Sequence, residues 1–279
     1  MKNIDLNDWV RSGDSTYCTS YFQKDSKDFM LKLLKPGVPA SEIEEEYEQA
    51  CKVYELGIPS PEPGVLVMAN GCEGLMFKRM VGKKSYARAL GDEPERAEEF
   101  GVSYARSVKA LHSTPCDKTR FKSIKETYGS QIAGSKYRDD DFKKQALDFL
   151  NSLPDGDTCV HGDMHFGNLL TTPAGNVFID LGNFSYGDPL FDFAMMDLLL
   201  DFGKYFPQAF EDNYHCTVEV ATTFWHAALR EFFGPDVDYA AKKKEFHPFM
   251  AIRQLTIEAS IGDMLPKEMS EELFSIFRH

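Results

Sequence analysis

The sequence predicts a two-lobed α+β fold, an N-terminal lobe of antiparallel sheet plus one helix followed by a mainly helical C-terminal lobe. Three observations carry that expectation. Up to Gly82, apolar residues alternate in short runs between Gly- and Pro-containing breaks, the pattern of strands. From about Pro94 they recur at three- and four-residue spacing, the pattern of helices. Inside the helical part, one loop-like stretch, His161–Asn168, lies between two short strand-like runs. The lobes are expected at 1–82 and 83–279, with 83–94 connecting them. A chain of 279 residues is long for one domain and short for two, which suits two lobes with an active site in a cleft between them.

In order along the chain, Tyr17–Gln23 and Asp28–Leu34 read as strands, preceded by a turn at Arg11–Thr16. A helix follows Pro39. Ser41 and Glu44 have the spacing of a capping box, and Ile43, Tyr47, Ala50 and Tyr54 form one apolar stripe that closes at Gly57. Pro59–Gly64 reads as a rigid extended connection, because proline holds itself and the residue before it out of the helical region. Val65–Met68 and Leu75–Val81 complete the strand-like part. Then Phe100, Tyr104, Val108 and Leu111 mark a helix ending near His112, where the histidine suits a C-terminal cap. A second helix is expected over Asp140–Ser152, then strands at Cys159–His161 and Val177–Asp180, with helices dominating from Phe191.

Hydrophobic residues make up 43% and charged residues 27%, ordinary globular values that exclude disorder. No apolar run approaches a bilayer's thickness and the first residues are charged, so the chain reads as soluble and cytoplasmic, with no membrane partner. The six cysteines are scattered singly, which fits reduced structural thiols. A net charge of -13 argues against a nucleic-acid partner, since phosphate binding needs a basic footprint. From Ser185 to His279 there are 16 Asp/Glu against 8 Lys/Arg, which tilts the expected small-molecule partner toward cationic or polyhydroxylated compounds.

The chemistry concentrates between His161 and Asp180. If the two flanking strands pair as a hairpin, Asp163, Asn168 and Asp180 converge at one end of it. Carboxylate and amide oxygens suit magnesium. Phosphoryl transfer asks the protein mainly for metal ions on the phosphates and a carboxylate that receives or orients the hydroxyl proton. Asp163 fits the second task, and Asn168 and Asp180 the first. His161 is expected to anchor the loop through backbone hydrogen bonds. Earlier in the chain, Lys32 sits inside the apolar strand Phe29–Leu34, an expensive placement unless its ammonium meets a partner. On the following helix Glu44 and Glu46 flank the apolar stripe; with Glu44 assigned to the cap, Glu46 is the expected partner.

The runs His161-Gly-Asp-Met-His-Phe-Gly-Asn-Leu-Leu, Phe178-Ile-Asp-Leu-Gly and Tyr186-Gly-Asp-Pro-Leu-Phe-Asp-Phe-Ala resemble the aminoglycoside phosphotransferase and choline kinase family, relatives of protein kinases. The resemblance implies a kinase-like fold and a magnesium-dependent kinase that uses ATP or GTP and a hydroxyl acceptor. It implies Asp163 as catalytic base, Asn168 and Asp180 as magnesium ligands, and Asp192 as a brace for the catalytic loop. It implies that Lys32 contacts the α- and β-phosphates and pairs with a helix glutamate; the family's Glu-x-Glu pattern points again to Glu46. The phosphate-covering position falls on Ser12 and Gly13, with Ser15 nearby, and the base-contacting hinge on Met76–Met80, represented by Phe77. The family's fourth acidic position is here Asn183, a departure. Two other readings are a catalytically silent nucleotide-binding module of the same fold and a metallohydrolase using His161, Asp163 and His165. The acceptor and the oligomeric state are not legible.

Overall fold

A computed structural model describes residues 1–15, 17–26 and 28–278. The strands and helices follow in the order β1 (Lys2–Asn3), β2 (Trp9–Asp14), β3 (Cys18–Gln23), β4 (Phe29–Leu34), α1 (Ser41–Glu55), β5 (Pro63–Ala69), β6 (Cys72–Lys78), β7 (Lys84–Ser85), α2 (Tyr86–Asp92), α3 (Ala97–His112), α4 (Ile124–Gly134) and α5 (Asp140–Ser152). Then come β8 (Thr158–Val160), β9 (Leu169–Thr172), β10 (Gly175–Phe178), β11 (Ser185–Gly187), α6 (Leu190–Tyr205), α7 (Pro207–Tyr214), α8 (Val218–Phe233), α9 (Tyr239–Ile261) and α10 (Lys267–Phe274). The chain forms two compact units, Met1–Lys84 with Leu170–Gly182, and Ser85–Leu169 with Asn183–His279. The segment 170–182, which follows the His161–Asn168 loop, belongs to the first unit. Phe178 N–H donates to the Pro59 carbonyl at 2.8 Å.

The first unit is built on a six-stranded sheet in the order β1-β5-β6-β4-β3-β2, antiparallel except for the β1–β5 pair. Period-two alternation on β4 decides its two faces. Leu31 and Leu33 pack with Trp9, Val67 and Ala69 on one side. Met30 and Leu34 pack on the other with Ile43 and Ala50 of α1. Lys32, between Met30 and Leu34 in this alternation, therefore shares the helix-facing side.

Two local expectations are corrected. The turn placed at Arg11–Thr16 is mostly strand: β2 runs through Asp14, pairing Arg11 with Tyr21 and Gly13 with Ser20, and a register shift leaves Ser12 as the extra residue. Thr16 itself lies outside the described residues. Nor is Ser41 a helix cap. Ala40 already has helical φ and ψ of −59° and −32° and precedes the helix with no side-chain cap bond, and its carbonyl accepts from Ile43 and Glu44 N–H at 3.2 Å. The first turn starts earlier, so the Ser41 backbone lacks the extended conformation a capping side chain needs.

The second unit centres on α3 and α8, which approach closely at Gly101. A Cβ at that position would stand 2.2 Å from the Phe224 carbonyl oxygen. Around this crossing Tyr86, Phe100, Tyr104, Phe224 and Trp225 meet in edge-on and tilted ring contacts with centroids 5.1–6.5 Å apart, a favourable aromatic geometry. Trp225 and Phe246 are buried, in keeping with a core role, whereas Phe233 is exposed. The expected hairpin of Cys159–His161 with Val177–Asp180 does not form. β8 pairs instead with β11, setting Val160 against Ser185, and β10 pairs with β9, the strand that starts directly after Asn168. A tight turn through Gly175, at φ +125°, makes the β9–β10 pairing local. Among the described residues no helix is long and apolar enough to cross a membrane.

Candidate active site

In the first unit, Lys32 Nζ donates to Glu46 Oε1 at 2.6 Å and to Asp180 Oδ1 at 2.8 Å. Glu46, not Glu44, thus meets the strand lysine, although the cap that set Glu44 aside is absent. Burial acts to lower the Lys32 pKa, but the Asp180 and Glu46 carboxylates outweigh it and hold the group raised. Asp180 has φ +56°, a left-handed conformation uncommon outside glycine that marks functional positions when the surroundings enforce it.

These three residues form one wall of a cavity of about 180 Å³. Met30, Ala50, Pro61, Phe77, Met80 and Leu181 make much of the remaining lining apolar, and Ser20, Ser60 and Lys83 add polar groups. Phe77 is accordingly a lining residue, with Lys32 Nζ 6.0 Å from its ring centre. Ser12 and Gly13 do not line this cavity; they lie exposed on β2, and the serines that do line it are Ser20 on β3 and Ser60.

In the second unit, the loop His161–Asn168 is pinned by alternate buried side chains. His161, Met164 and Phe166 are buried to 1% exposure or less. Phe166 packs against Phe210, Tyr214 and Phe224. Asp192, in the first turn of α6, accepts from His161 N–H at 2.9 Å and from Gly162 N–H at 2.8 Å. His112 Nε2 lies 2.8 Å from the same carboxylate, so the histidine expected to cap α3 braces Asp192 instead. Tyr128 Oη donates to the Gly162 carbonyl at 2.5 Å. His161 Nδ1 accepts from Asp163 N–H, and His165 Nδ1 from Gly167 N–H, so a ring nitrogen of each serves the loop's own turns. Asn183 is likewise structural, its side-chain oxygen accepting from Gln131 Nε2 at 2.8 Å.

Asp163 is held from a direction the sequence does not suggest. Arg253, on α9, donates from Nη2 to Asp163 Oδ1 at 2.6 Å. Burial alone would raise the Asp163 pKa; Arg253, helped by His165 and His161, outweighs it and brings the value down to about 2. The carboxylate is therefore ionised at neutral pH. A charged residue inside the apolar run of α9 is the available signal for Arg253, the same signal that singles out Lys32.

Each unit holds one oxygen donor of the kind magnesium takes. Asn168 Nδ2 donates to the Asp163 carbonyl at 2.9 Å, which leaves its amide oxygen as a hard donor, and Asp180 supplies a carboxylate. Among the described residues no group of three or more His, Cys, Asp or Glu side chains gathers as a metal cluster.

The match to a known family covers most of this ground: residues 11–231 fit the model of the phosphotransferase enzyme family. The chain belongs to that family. Solved structures agree in fold, although sequence identity is low. An aminoglycoside-3'-phosphotransferase of type VIII superposes with a TM-score of 0.57 at 18% identity, covering 90% of this chain and 93% of that one. A choline/ethanolamine kinase family protein from Mesorhizobium loti gives 0.55 at 13% identity, covering 97% and 86%. An aminoglycoside phosphotransferase from Streptomyces rimosus, in complex with ADP and streptomycin, gives 0.53 at 18% identity, covering 88% and 92%. The search of curated proteins found no match. This phosphotransferase family member thus has the two-lobed, protein-kinase-like α+β fold expected from its motifs.

Proposed function

We propose that the chain is a small-molecule kinase that transfers the γ-phosphoryl group of ATP or GTP to a hydroxyl of its acceptor. The observation that carries this reading is the Lys32 ammonium fixed between Glu46 and Asp180 on the wall of a largely apolar cavity. Such a cavity suits a flat base, and a positioned ammonium suits phosphate oxygens. Phe77 is assigned to the base-binding wall. Ser12 and Gly13 remain assigned to the phosphates by their place on the first hairpin. The complex of the Streptomyces rimosus structure with ADP and streptomycin supports a nucleotide and a small hydroxylated acceptor for the family member described here.

Asp163 receives or orients the acceptor hydroxyl's proton, and its ionised state at neutral pH makes it available for that. Asp192, His112 and Tyr128 hold the loop that presents it. Asn168 and Asp180 are assigned as oxygen donors to magnesium. Magnesium supplies neutralisation of phosphate charge. The decisive experiment measures magnesium-dependent loss of ATP and of GTP against aminoglycosides, amino alcohols and sugars, with wild type beside Asp163→Ala. Turnover that disappears in the variant while nucleotide binding persists supports the kinase. Binding without turnover across the panel favours a silent module, and near-normal turnover by Asp163→Ala removes Asp163 from its role.

A further inference from the structure

We infer that Arg253 is a positioning residue for phosphoryl transfer: it clamps one oxygen of the Asp163 carboxylate and leaves the other for the acceptor hydroxyl. The inference rests on the kinase reading above and extends it to a residue outside the family-like motifs. The contact spans 90 positions of sequence, from the loop to α9. The Arg253 side chain is 8% exposed and that of Asp163 is 27%, so the arginine is the inner, fixed partner. Its guanidinium is set by two further contacts, one of them to a residue that also holds the loop. Nη1 donates to Thr256 Oγ1 at 2.5 Å, the carbon centre lies 5.8 Å from the Tyr128 ring centroid, and the same tyrosine holds the Gly162 carbonyl. Asp163 Oδ1 takes the arginine's hydrogen bond, and among the described residues Oδ2 takes none.

Stability alone accounts poorly for this arrangement. Arg253 Nε is buried with no hydrogen-bond partner among the described residues. Buried ion pairs often add little over apolar packing of the same volume, and an unsatisfied donor makes the balance worse. A clamp does account for it. A free carboxylate rotates about χ2 and presents either oxygen, whereas a guanidinium on Oδ1 fixes the plane and points the remaining oxygen one way. Displacing a reacting group by about 1 Å costs on the order of 100-fold in rate.

The test uses the full chain with Mg·ATP and water as acceptor, reading single-turnover phosphate release, so that no acceptor need be known. Wild type is compared with Arg253→Lys, Arg253→Met, Asp163→Asn and the double variant Asp163→Asn/Arg253→Met. Expected are a fall in the single-turnover rate constant of roughly 100-fold for Arg253→Met, an intermediate fall for Arg253→Lys, and a nucleotide Kd within about twofold of wild type throughout. The double variant is expected to release phosphate as fast as Asp163→Asn, because an arginine that acts through Asp163 has nothing left to position. Arg253→Met leaves Asp163 uncompensated; should it fail to fold, Arg253→Lys keeps the charge without the fork and reads the same rate. Arg253 variants as fast as wild type, or a double variant slower than Asp163→Asn by the whole factor of the single change, overturn the inference alone. A wild type no faster than Asp163→Asn overturns the kinase reading and this inference with it.

Discussion

The Lys32 ammonium lies 2.6 Å from Glu46 Oε1 and so joins the central strand of the first unit to its helix. Glu46→Gln keeps the shape but removes the charge, which leaves Lys32 drawn to Asp180 alone. A charge-assisted hydrogen bond is worth about 1.5–3 kcal/mol. Glu46→Gln is therefore expected to weaken nucleotide binding about tenfold, and Lys32→Met by more. Titration calorimetry with Mg·ATP and Mg·GTP measures both; unchanged affinity in Lys32→Met takes the lysine out of the nucleotide site.

Asp192 yields a second expectation. Its carboxylate is 1% exposed and accepts from two loop N–H groups while facing His112. Asp192→Ala strands those donors in a dry interior, at about 1–3 kcal/mol each. The fall in stability should reach about 3–5 kcal/mol by urea unfolding, with turnover lost as well. Asp192→Asn retains one acceptor oxygen and is expected to fall between the two. Stability within about 1 kcal/mol of wild type in Asp192→Ala, on the order of a single surface change, contradicts the bracing role.

How much of the fold and site is legible in the sequence depends on the distance over which each partner acts. Lys32 is legible because a charge in an apolar strand is anomalous on its own. The route to Glu46 runs partly through a capping box at Ser41 that does not exist; helical geometry leaves Glu44 and Glu46 both open, and the Glu-x-Glu pattern makes the choice. The pairing of β8 with β11 is illegible, since two three-residue strands carry no register signal and the choice between β10 and β11 is made by tertiary packing. His112 reads as a cap because its partner stands 80 residues away. Arg253 carries the same anomaly as Lys32, but on a long helix a charged residue reads first as a solvent-facing one.

Gly101 tests the core of the second unit. Glycine in a helix costs about 1 kcal/mol against alanine, so an exposed site would gain from Gly→Ala. Here the added methyl meets the Phe224 backbone oxygen at 2.2 Å and the Ala227 Cβ at 2.9 Å. Backbone cannot rotate away as a side chain can, so α3 and α8 must separate. Gly101→Ala is expected to lower stability by about 1–3 kcal/mol in chemical denaturation, the usual range for overpacking. A stabilised variant shows that the crossing is looser than this contact implies.

Asp197 makes the stability of the second unit depend on pH in a direction opposite to that of most carboxylates. Burial raises its pKa from 3.8 to about 6, against the opposing effect of the hydrogen bond from Trp225 Nε1 at 3.2 Å. Because the folded value exceeds the unfolded one, the folded state binds the extra proton between them. Stability from this group is therefore complete below pH 3.8 and is lost as the pH climbs through about 6. A rise of that size corresponds to at most about 3 kcal/mol, and residual solvent access reduces it. Asp197→Asn keeps an acceptor for Trp225 without the charge. Urea unfolding at about pH 5 and about pH 7.5 should show the variant about 1–3 kcal/mol more stable than wild type at the higher pH and much closer to it at the lower. An equal difference at both values would falsify the assignment of this pH dependence to Asp197.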